Sequence, residues 1–264
     1  MTLITRLNTA FTDTTLPILQ RDPVLPNEGG VLLFEPKNIG TYPSQESNVS
    51  AQTLSSLTLT PRDVPVGAGT YDPATGEWSA SATFAPNPAD LYQDNTHAYC
   101  LSIWVDVPET HPGYSILMWG GDRGNLNAVD NKSLTMHWGD TDSRSFIIYK
   151  PDINSGNERQ NGFINTLPVG VNRVGYAWQK NDVNGTPTWQ WKGIVNNGTP
   201  GGWNNDTFGT GAAGINTASS SNVLWTNDGN SSIYRFYLEN LTLSGRTPEQ
   251  VWDADWARGN GRYS

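Results

Sequence analysis

The feature that most constrains this chain is the alternation of large apolar and polar side chains in segment 173–195, RVGYAWQKNDVNGTPTWQWKGIV. Successive side chains of a β-strand point to opposite faces of a sheet, so a period of two predicts strands with one apolar face. Between the two strands, Asn184 and Gly185 can supply the positive φ angles of a tight turn. The segment is therefore predicted to be a long hairpin. Its apolar face is formed by Val174, Tyr176, Trp178, Trp189, Trp191, Gly193 and Val195.

Similar short segments, bounded by Gly, Pro, Asp or Asn, recur along the chain and predict about a dozen strands. In segment 97–109, HAYCLSIWVDVPE, the residues at 101, 103, 105 and 107 are apolar, and those at 102, 104 and 106 face the other way. No alternation of strands with helices occurs. The sequence therefore predicts an all-β antiparallel β-sandwich or jelly roll. The other candidate strands are GGVLLFEP (29–36), LSSLTLT (54–60), WSASATFAP (78–86), YSILMWGGD (114–122), SLTMHWGD (133–140), SFIIYKPD (145–152) and SSIYRFYLENLTLSG (231–245).

One short helix is predicted near the C-terminus, in TPEQVWDADW (247–256). Thr247 is suited to be its N-cap, Pro248 its first residue, and Gln250 the partner that completes a capping box. Gly259 is well placed to end it.

The first 28 residues are irregular and contain three prolines, at positions 17, 23 and 26. Leu3, Leu7 and Phe11 could share one face of a short helix, but nothing longer is compatible with the prolines. We expect either an N-terminal arm (1–28) that packs against another protein or a leader without fixed structure. Residues 29–264 are expected to form the sandwich domain.

Charge and composition exclude several functions. The net charge is -9 with 16 Lys+Arg and no basic run, so nucleic acid is not expected as a partner. No run of about 18 apolar residues is present, so membrane insertion is not expected, and the N-terminus lacks a signal-peptide pattern, which predicts synthesis in a cytoplasm. Cys100 is the single cysteine. It is expected to be a small buried hydrophobic residue, with a reactive thiol as the alternative.

Three segments resemble, in the same order, the concanavalin A-like lectin/glucanase superfamily in its laminin-G-like branch. They are HAYCLSIWVDVPE (97–109), VNRVGYAWQKNDVNGTPTWQWKGIV (171–195) and IYRFYLENLTLSGRTPEQV (233–251). The resemblance covers about residues 75–256 and implies a jelly-roll sandwich.

A looser resemblance, to virion proteins of tailed bacteriophages, rests on TAFTDTTLPILQRDPVLPNEGGVLLFEP (9–36) and LTLSGRTPEQV (241–251). It implies a virion protein that is made in the host cytoplasm and released by lysis, as a tail, fibre or capsid-decoration subunit. The partners it implies are other virion proteins, bound through the N-terminal arm, and further copies of the chain in a homo-oligomer.

The chain lacks the carboxylate pattern of glucanases. Glucanases of the resembled superfamily carry Glu-x-Asp-x-(x)-Glu on one strand, which places two carboxylates at hydrolysis distance. The nearest run here is DADW (253–256), which lies in the predicted helix. A non-enzymatic protein is therefore expected. A Ser/His/Asp hydrolase has no supporting Gly-x-Ser-x-Gly motif, and no Gly-rich phosphate loop is found.

No cofactor is predicted, although a Ca²⁺ ion is an alternative. GDTD (139–142) and DINSGNE (152–158) offer loop oxygens of the kind that Ca²⁺ requires, but Asp and Asn also simply stabilise turns. The three histidines, at 97, 111 and 137, lack the spacing of zinc ligands.

The tryptophans divide into two groups. Trp189 and Trp191 are expected in the core, where a ring buries about 150–250 Å². Trp203 lies in GTPGGWNND (198–206), where alternation does not demand burial. With its polar neighbours it could stack on a sugar and bind its hydroxyls, or it could fold back on its own domain or on a neighbouring subunit. The candidate carbohydrate-binding residues are Trp203, Asn204, Asn205 and Asp206, with a second loop set of Trp119, Asp122 and Arg123.

These observations favour a structural virion protein that contacts host-surface polysaccharide. The alternative is a carbohydrate-binding adhesin module. A glycoside hydrolase or lyase is disfavoured for want of a carboxylate pair.

Overall fold

A computed structural model describes residues 22–49, 53–58, 63–66, 69–79, 82–84, 97–109, 115–119, 134–138, 146–151, 158–164, 167–183, 186–206, 222–225 and 232–263. Two helices lie in these ranges, α1 (Leu241–Ser244) and α2 (Pro248–Gly259). The strands are β1 (Gly30–Phe34), β2 (Thr53–Ser55), β3 (Asp63–Pro65), β4 (Ala82–Phe84), β5 (Tyr99–Val107), β6 (Ser115–Trp119), β7 (Leu134–Trp138), β8 (Phe146–Pro151), β9 (Glu158–Ile164), β10 (Gly170–Val183), β11 (Thr186–Val195), β12 (Asn204–Asp206), β13 (Asn222–Trp225) and β14 (Ile233–Asn240).

The described strands pair antiparallel throughout. The largest sheet has six strands in the order β1-β14-β5-β10-β11-β12. A second sheet has the order β6-β7-β8-β9, and β13-β4 and β2-β3 form two-stranded pairs. The predicted all-β sandwich with a short C-terminal helix is confirmed.

The long hairpin has the predicted register. Val174 pairs with Val195, Tyr176 with Gly193 and Trp178 with Trp191, and two residues connect Val183 to Thr186. The Tyr176 ring stacks on both rings of the neighbouring Trp178–Trp191 pair, 5.7 Å from Trp178 and 6.0 Å from Trp191. Tyr176 and Trp178 are buried and Trp191 packs against the same core, as expected. The side chain of Trp189 lies outside the described residues.

This inner face of the large sheet packs against Tyr42, Val49, Leu54, Val66, Tyr71 and Trp78. Tyr42, Tyr71 and Trp78 form an aromatic trio there, with Tyr42 edge-on to the other two rings at 5.3 and 5.2 Å. In β5, the predicted apolar set at 101, 103, 105 and 107 faces the same core. The alternation therefore assigns the inner face correctly.

The outer face of the large sheet is buried as well, which alternation alone does not predict. All eight residues of β14 are buried, and Cys100 of β5 is buried as expected. The cover is α2, which begins as predicted with the Thr247 cap, a proline in its first turn and a complete capping box with Gln250.

Helix α2 crosses the sheet rather than following its strands. Its twelve residues span about 18 Å, which is close to the roughly 19 Å between the first and the last of five adjacent strands. Its path is traced by contacts of Glu249 with Lys192 of β11, Trp252 with the Leu101 carbonyl of β5, Asp255 with Arg235 of β14, and Arg258 with Glu35 after β1.

Two glycines permit this close approach. A Cβ on Gly175 would lie 2.6 Å from Cγ2 of Ile194 and 2.7 Å from Cε2 of Trp252. A Cβ on Gly259 would lie 2.5 Å from Cε2 of Trp104. The helix ends at Gly259 as predicted, but the glycine is required for packing rather than for a left-handed cap, because Asn260 caps the helix with a φ of -61°.

Two local predictions differ from the structure, and three strands were not predicted. Segment 231–245 was expected to stay extended, but it turns into α1 after Asn240, whose side chain accepts a hydrogen bond from the Leu243 amide. The strands without a prediction are β3, β9 and β13, which pair with β2, β8 and β4. Residues 204–206 were expected in a loop and instead form edge strand β12, because their backbone pairs with β11.

The outer face contains a buried ion cluster centred on Arg235, whose side chain is 0% exposed. Its Nη1 lies 3.0 Å from Oδ2 of Asp22 and 2.7 Å from Oε2 of Glu35, and its Nε lies 2.7 Å from Oδ1 of Asp255. Burial alone would raise the pKa of Asp22, but Arg235 outweighs burial and holds that pKa below its usual value. Residues 22–25, which belong to the predicted arm, are therefore attached to the sandwich.

Among the residues that the structure describes, no helix is both long and apolar enough to cross a membrane. Within the same residues, no cluster of His, Cys, Asp and Glu is arranged to hold a metal ion. The calcium candidates 139–142 and 152–157 lie outside the described residues.

Candidate functional site

A row of amide side chains crosses β10, β11 and β12 on the outer face of the large sheet. Gln179, Gln190 and Asn205 are aligned in register on the three strands. Nε2 of Gln179 donates to Oε1 of Gln190 at 2.8 Å, and Nε2 of Gln190 donates to Oδ1 of Asn205 at 2.7 Å. Asn181 also donates to Oε1 of Gln190, at 3.2 Å. We call these four residues the amide ladder.

The amide ladder has a direction. Gln190, only 8% exposed, uses its oxygen for two donors and its nitrogen for Asn205, so its orientation is fixed. Asn205 is exposed, and among the described residues its amide nitrogen has no hydrogen-bond partner. The row therefore ends in an exposed donor group that is held in place by its neighbours.

Trp203 flanks the ladder at the edge of the sheet. Its ring is half-buried against the outer-face cluster that contains Ile194 and Trp252. The Lys192 ammonium lies over the ring, 5.0 Å from its centroid, and is paired with Glu249 at the start of α2. The expectation that Trp203 folds back on its own domain therefore describes its position, although part of the ring stays exposed.

The ion pair beside Trp203 is settled in its charged form. Burial acts to raise the pKa of Glu249, but the hydrogen bond and charge of Lys192 act together with hydrogen bonds from the Glu249 backbone and the Thr247 side chain, and the pKa is lowered. Glu249 also lies in the first turn of α2, where the helix dipole favours a negative charge. At neutral pH this edge of the face carries a carboxylate and an ammonium in direct contact.

The sequence-predicted site residues are divided by strand geometry. Trp203 and Asn205 lie on the outer face, whereas Asn204 pairs with the inward-facing Trp191 and belongs to the opposite face. Asp206 pairs with Trp189 through its backbone, and its side chain lies outside the described residues. In the second predicted set, the backbone of Trp119 ends β6, while its side chain, Asp122 and Arg123 are outside the described residues.

Sequence reasoning missed four residues of this face: Gln179, Asn181, Gln190 and Lys192. The sequence does indicate them, because they alternate with the apolar residues that predict the two hairpin strands and therefore lie on the opposite face of the sheet. Three of the four are amides, whose side chains can both donate and accept hydrogen bonds.

The face can bind by hydrogen bonding and by contact with an aromatic ring. Amides supply both donors and acceptors, and an indole edge or face packs against the C–H surface of a polar ring. Neighbouring strands place their amides about 4.8 Å apart, so one small ligand can contact two of them.

Comparisons with known proteins give the fold and no family. No protein-family model matches the chain, and no curated protein matches it significantly. Among solved structures, the sialidase of Trypanosoma rangeli is similar over 89% of this chain and 34% of its own, with 11% identity and a TM-score of 0.53. The binding domain of botulinum neurotoxin DC, solved in complex with rat synaptotagmin II, is similar over 85% of this chain and 50% of its own, with 11% identity and a TM-score of 0.53.

This chain therefore spans one third to one half of the solved chains that it resembles. At 11% identity the similarity establishes a shared lectin-like β-sheet fold, and the activities of those proteins are not transferred by it.

Proposed function

We propose that this protein is a non-enzymatic structural protein of a bacteriophage virion, as a tail, fibre or capsid-decoration subunit, whose lectin-like domain contacts glycans on the host surface. The observation that carries the glycan-binding part is the amide ladder, flanked by Trp203, which ends in the exposed side chain of Asn205.

Sugar recognition fits this face chemically. A pyranose ring presents several hydroxyl groups, each a donor and an acceptor, over a few ångströms, together with an apolar C–H surface. The exposed Asn205 amide can donate to such a hydroxyl while Gln190 keeps its orientation fixed. The exposed part of Trp203 can pack against the C–H surface. Pre-ordered groups of this kind lose little conformational entropy when a ligand binds.

Similar solved structures include one of a toxin binding domain and one of a sialidase, which supports a recognition module without identifying its ligand. The concanavalin A-like assignment rests on the sequence resemblance of residues 97–109, 171–195 and 233–251 to that superfamily. The virion setting rests on the looser resemblance of residues 9–36 and 241–251 to virion proteins.

A non-enzymatic role is supported by the burial of the described groups that resemble catalytic pairs. Asp22, Glu35 and Asp255 approach one another around Arg235, but all three are buried and ion-paired. Tyr237 donates to Glu239, a Tyr–carboxylate pairing of the kind used as a nucleophile by some glycosidases. Both residues are fully buried, and burial raises the pKa of Tyr237, so its hydroxyl stays protonated and out of reach of a substrate.

The glycan-binding proposal is tested by titration calorimetry and by an array of host-surface polysaccharides, with Asn205→Ala as the variant and Asn204→Ala as its matched control. The two residues are adjacent, exposed and chemically identical, but they belong to opposite faces. Loss of a neutral hydrogen bond predicts an affinity up to about tenfold lower for Asn205→Ala. Equal affinities of the two variants, or no binding by the wild type, would count against the proposed face.

The virion setting is tested by deletion of residues 1–21. Deleting 1–28 would also remove Asp22 and Val24, which belong to the folded domain, and so would confuse attachment with stability. The shorter deletion should leave a folded domain that no longer assembles with other virion proteins. If the shortened protein still enters particles, the arm is not the attachment segment. If the full chain enters no particle but binds glycan, the adhesin alternative is favoured.

A further inference from the structure

We infer that the amide ladder selects neutral glycans over anionic ones, and that Glu249 is the residue that sets this preference. The inference rests on the proposed function and specifies the ligand class of the same face.

The first step concerns which charge of the ion pair is accessible. The side chain of Lys192 is 9% exposed, whereas that of Glu249 is 38% exposed. The ammonium is enclosed between the Trp203 ring and the carboxylate. A ligand on the ladder therefore meets the carboxylate at its border, while the positive charge is covered.

The second step concerns the ladder itself. Its four described side chains are amides, which carry dipoles but no net charge. Binding an anionic sugar without a cation would require its carboxylate to give up water for weaker neutral partners. A neutral sugar hydroxyl has no such penalty, because an amide replaces its water hydrogen bonds in kind.

The third step concerns what Lys192 would do if it were released. Glu249 holds the ammonium with a direct contact, and Trp203 holds it with a cation–π contact. Replacing the carboxylate by an amide of the same shape leaves a positive charge about one strand away from Asn205. The same face would then favour an anion.

The experiment compares wild type, Glu249→Gln and Glu46→Gln on an array of matched pairs, each a neutral oligosaccharide and its sialylated form, for example lactose and sialyllactose. Glu46 is an exposed carboxylate outside the outer face, so its variant changes the net charge equally without touching the site. Wild type and Glu46→Gln should prefer the neutral member. Glu249→Gln should shift the ratio toward the anionic member by on the order of fivefold, and this shift should shrink as salt is added.

The outcomes separate the two proposals. If wild type binds the sialylated members better, or if Glu249→Gln leaves the ratio unchanged, the inference is overturned while glycan binding stands. If wild type binds no member of any pair, the proposed function is overturned together with it. Binding of neutral members by Glu249→Gln also shows that the variant remains folded.

Discussion

Replacing Arg235 by methionine should destabilise the protein by about 5 kcal/mol at neutral pH. The guanidinium is 0% exposed and contacts three carboxylates, those of Asp22, Glu35 and Asp255. Without it, the three acids remain buried, and the arginines that contact them among the described residues are Arg258 and Arg262, whose side chains are 19% and 34% exposed. The folded state then holds a buried negative charge without a partner, and this costs far more than an exposed ion pair contributes.

The sign of the pH dependence tests this reasoning. In the wild type the pKa of Asp22 is lowered, so its contribution to stability is present above the usual aspartate value and is lost as the pH falls through the lowered folded value. In Arg235→Met, the unpartnered carboxylates should instead gain protons on folding, so lowering the pH should favour the folded state. The difference in stability between the two proteins should therefore shrink as the solution is acidified.

The assay is urea unfolding followed by tryptophan fluorescence at several pH values, with Arg258→Met as the control. Arg258 belongs to the same cluster but is partly exposed, so its loss should cost about 1 kcal/mol. A loss below 1 kcal/mol for Arg235→Met, or a difference that widens in acid, would show that the cluster is not held by charge pairing.

Further predictions concern packing, capping and thiol reactivity. Gly175→Ala should destabilise the protein by about 1–3 kcal/mol, because its methyl group would collide with Trp252, whereas Gly201→Ala, with open space around it, should change unfolding by less than about 0.5 kcal/mol. Thr247→Ala should lower the free energy of unfolding by about 1 kcal/mol through loss of the α2 cap, measurable as a lower thermal midpoint. Burial and the nearby Glu239 raise the pKa of the Cys100 thiol, so an aromatic disulfide reagent should label it only after unfolding; rapid labelling of native protein would contradict this.

Much of the fold follows from sequence because alternation reports directly on side-chain direction. The inner faces of β5 and β10 are recovered from the period of two, and the hairpin register from the Asn184-Gly185 turn signal. The start of α2 is recovered because its capping box is a local pattern. The burial of the outer face is not recovered. Ser102 and Arg235 are covered through contacts with Asp255 of α2, which lies 153 and 20 residues further along the chain, and no pattern close to either residue indicates this.

The candidate site is recovered only in part for the same reason. Trp203 and Asn205 were selected from a local cluster, but Asn204 was grouped with them although strand geometry places it on the other face. Residues 204–206 form a strand because they pair with the free edge of β11, and the local sequence does not show that this edge lies beside them. Gln179 and Gln190 could have been found by examining the polar phase of the hairpin as carefully as the apolar phase.

The place where residues 22–25 join the sandwich has a mechanical consequence. Asp22 is bonded to β14, which has a neighbouring strand on each side, and Arg235 connects it onward to Asp255 of α2. A pulling force that enters the domain at Asp22 would thus act on several buried ion pairs at once. Such tension would reach β14 and α2 first, whereas β12 and its amides lie at the far end of the same sheet.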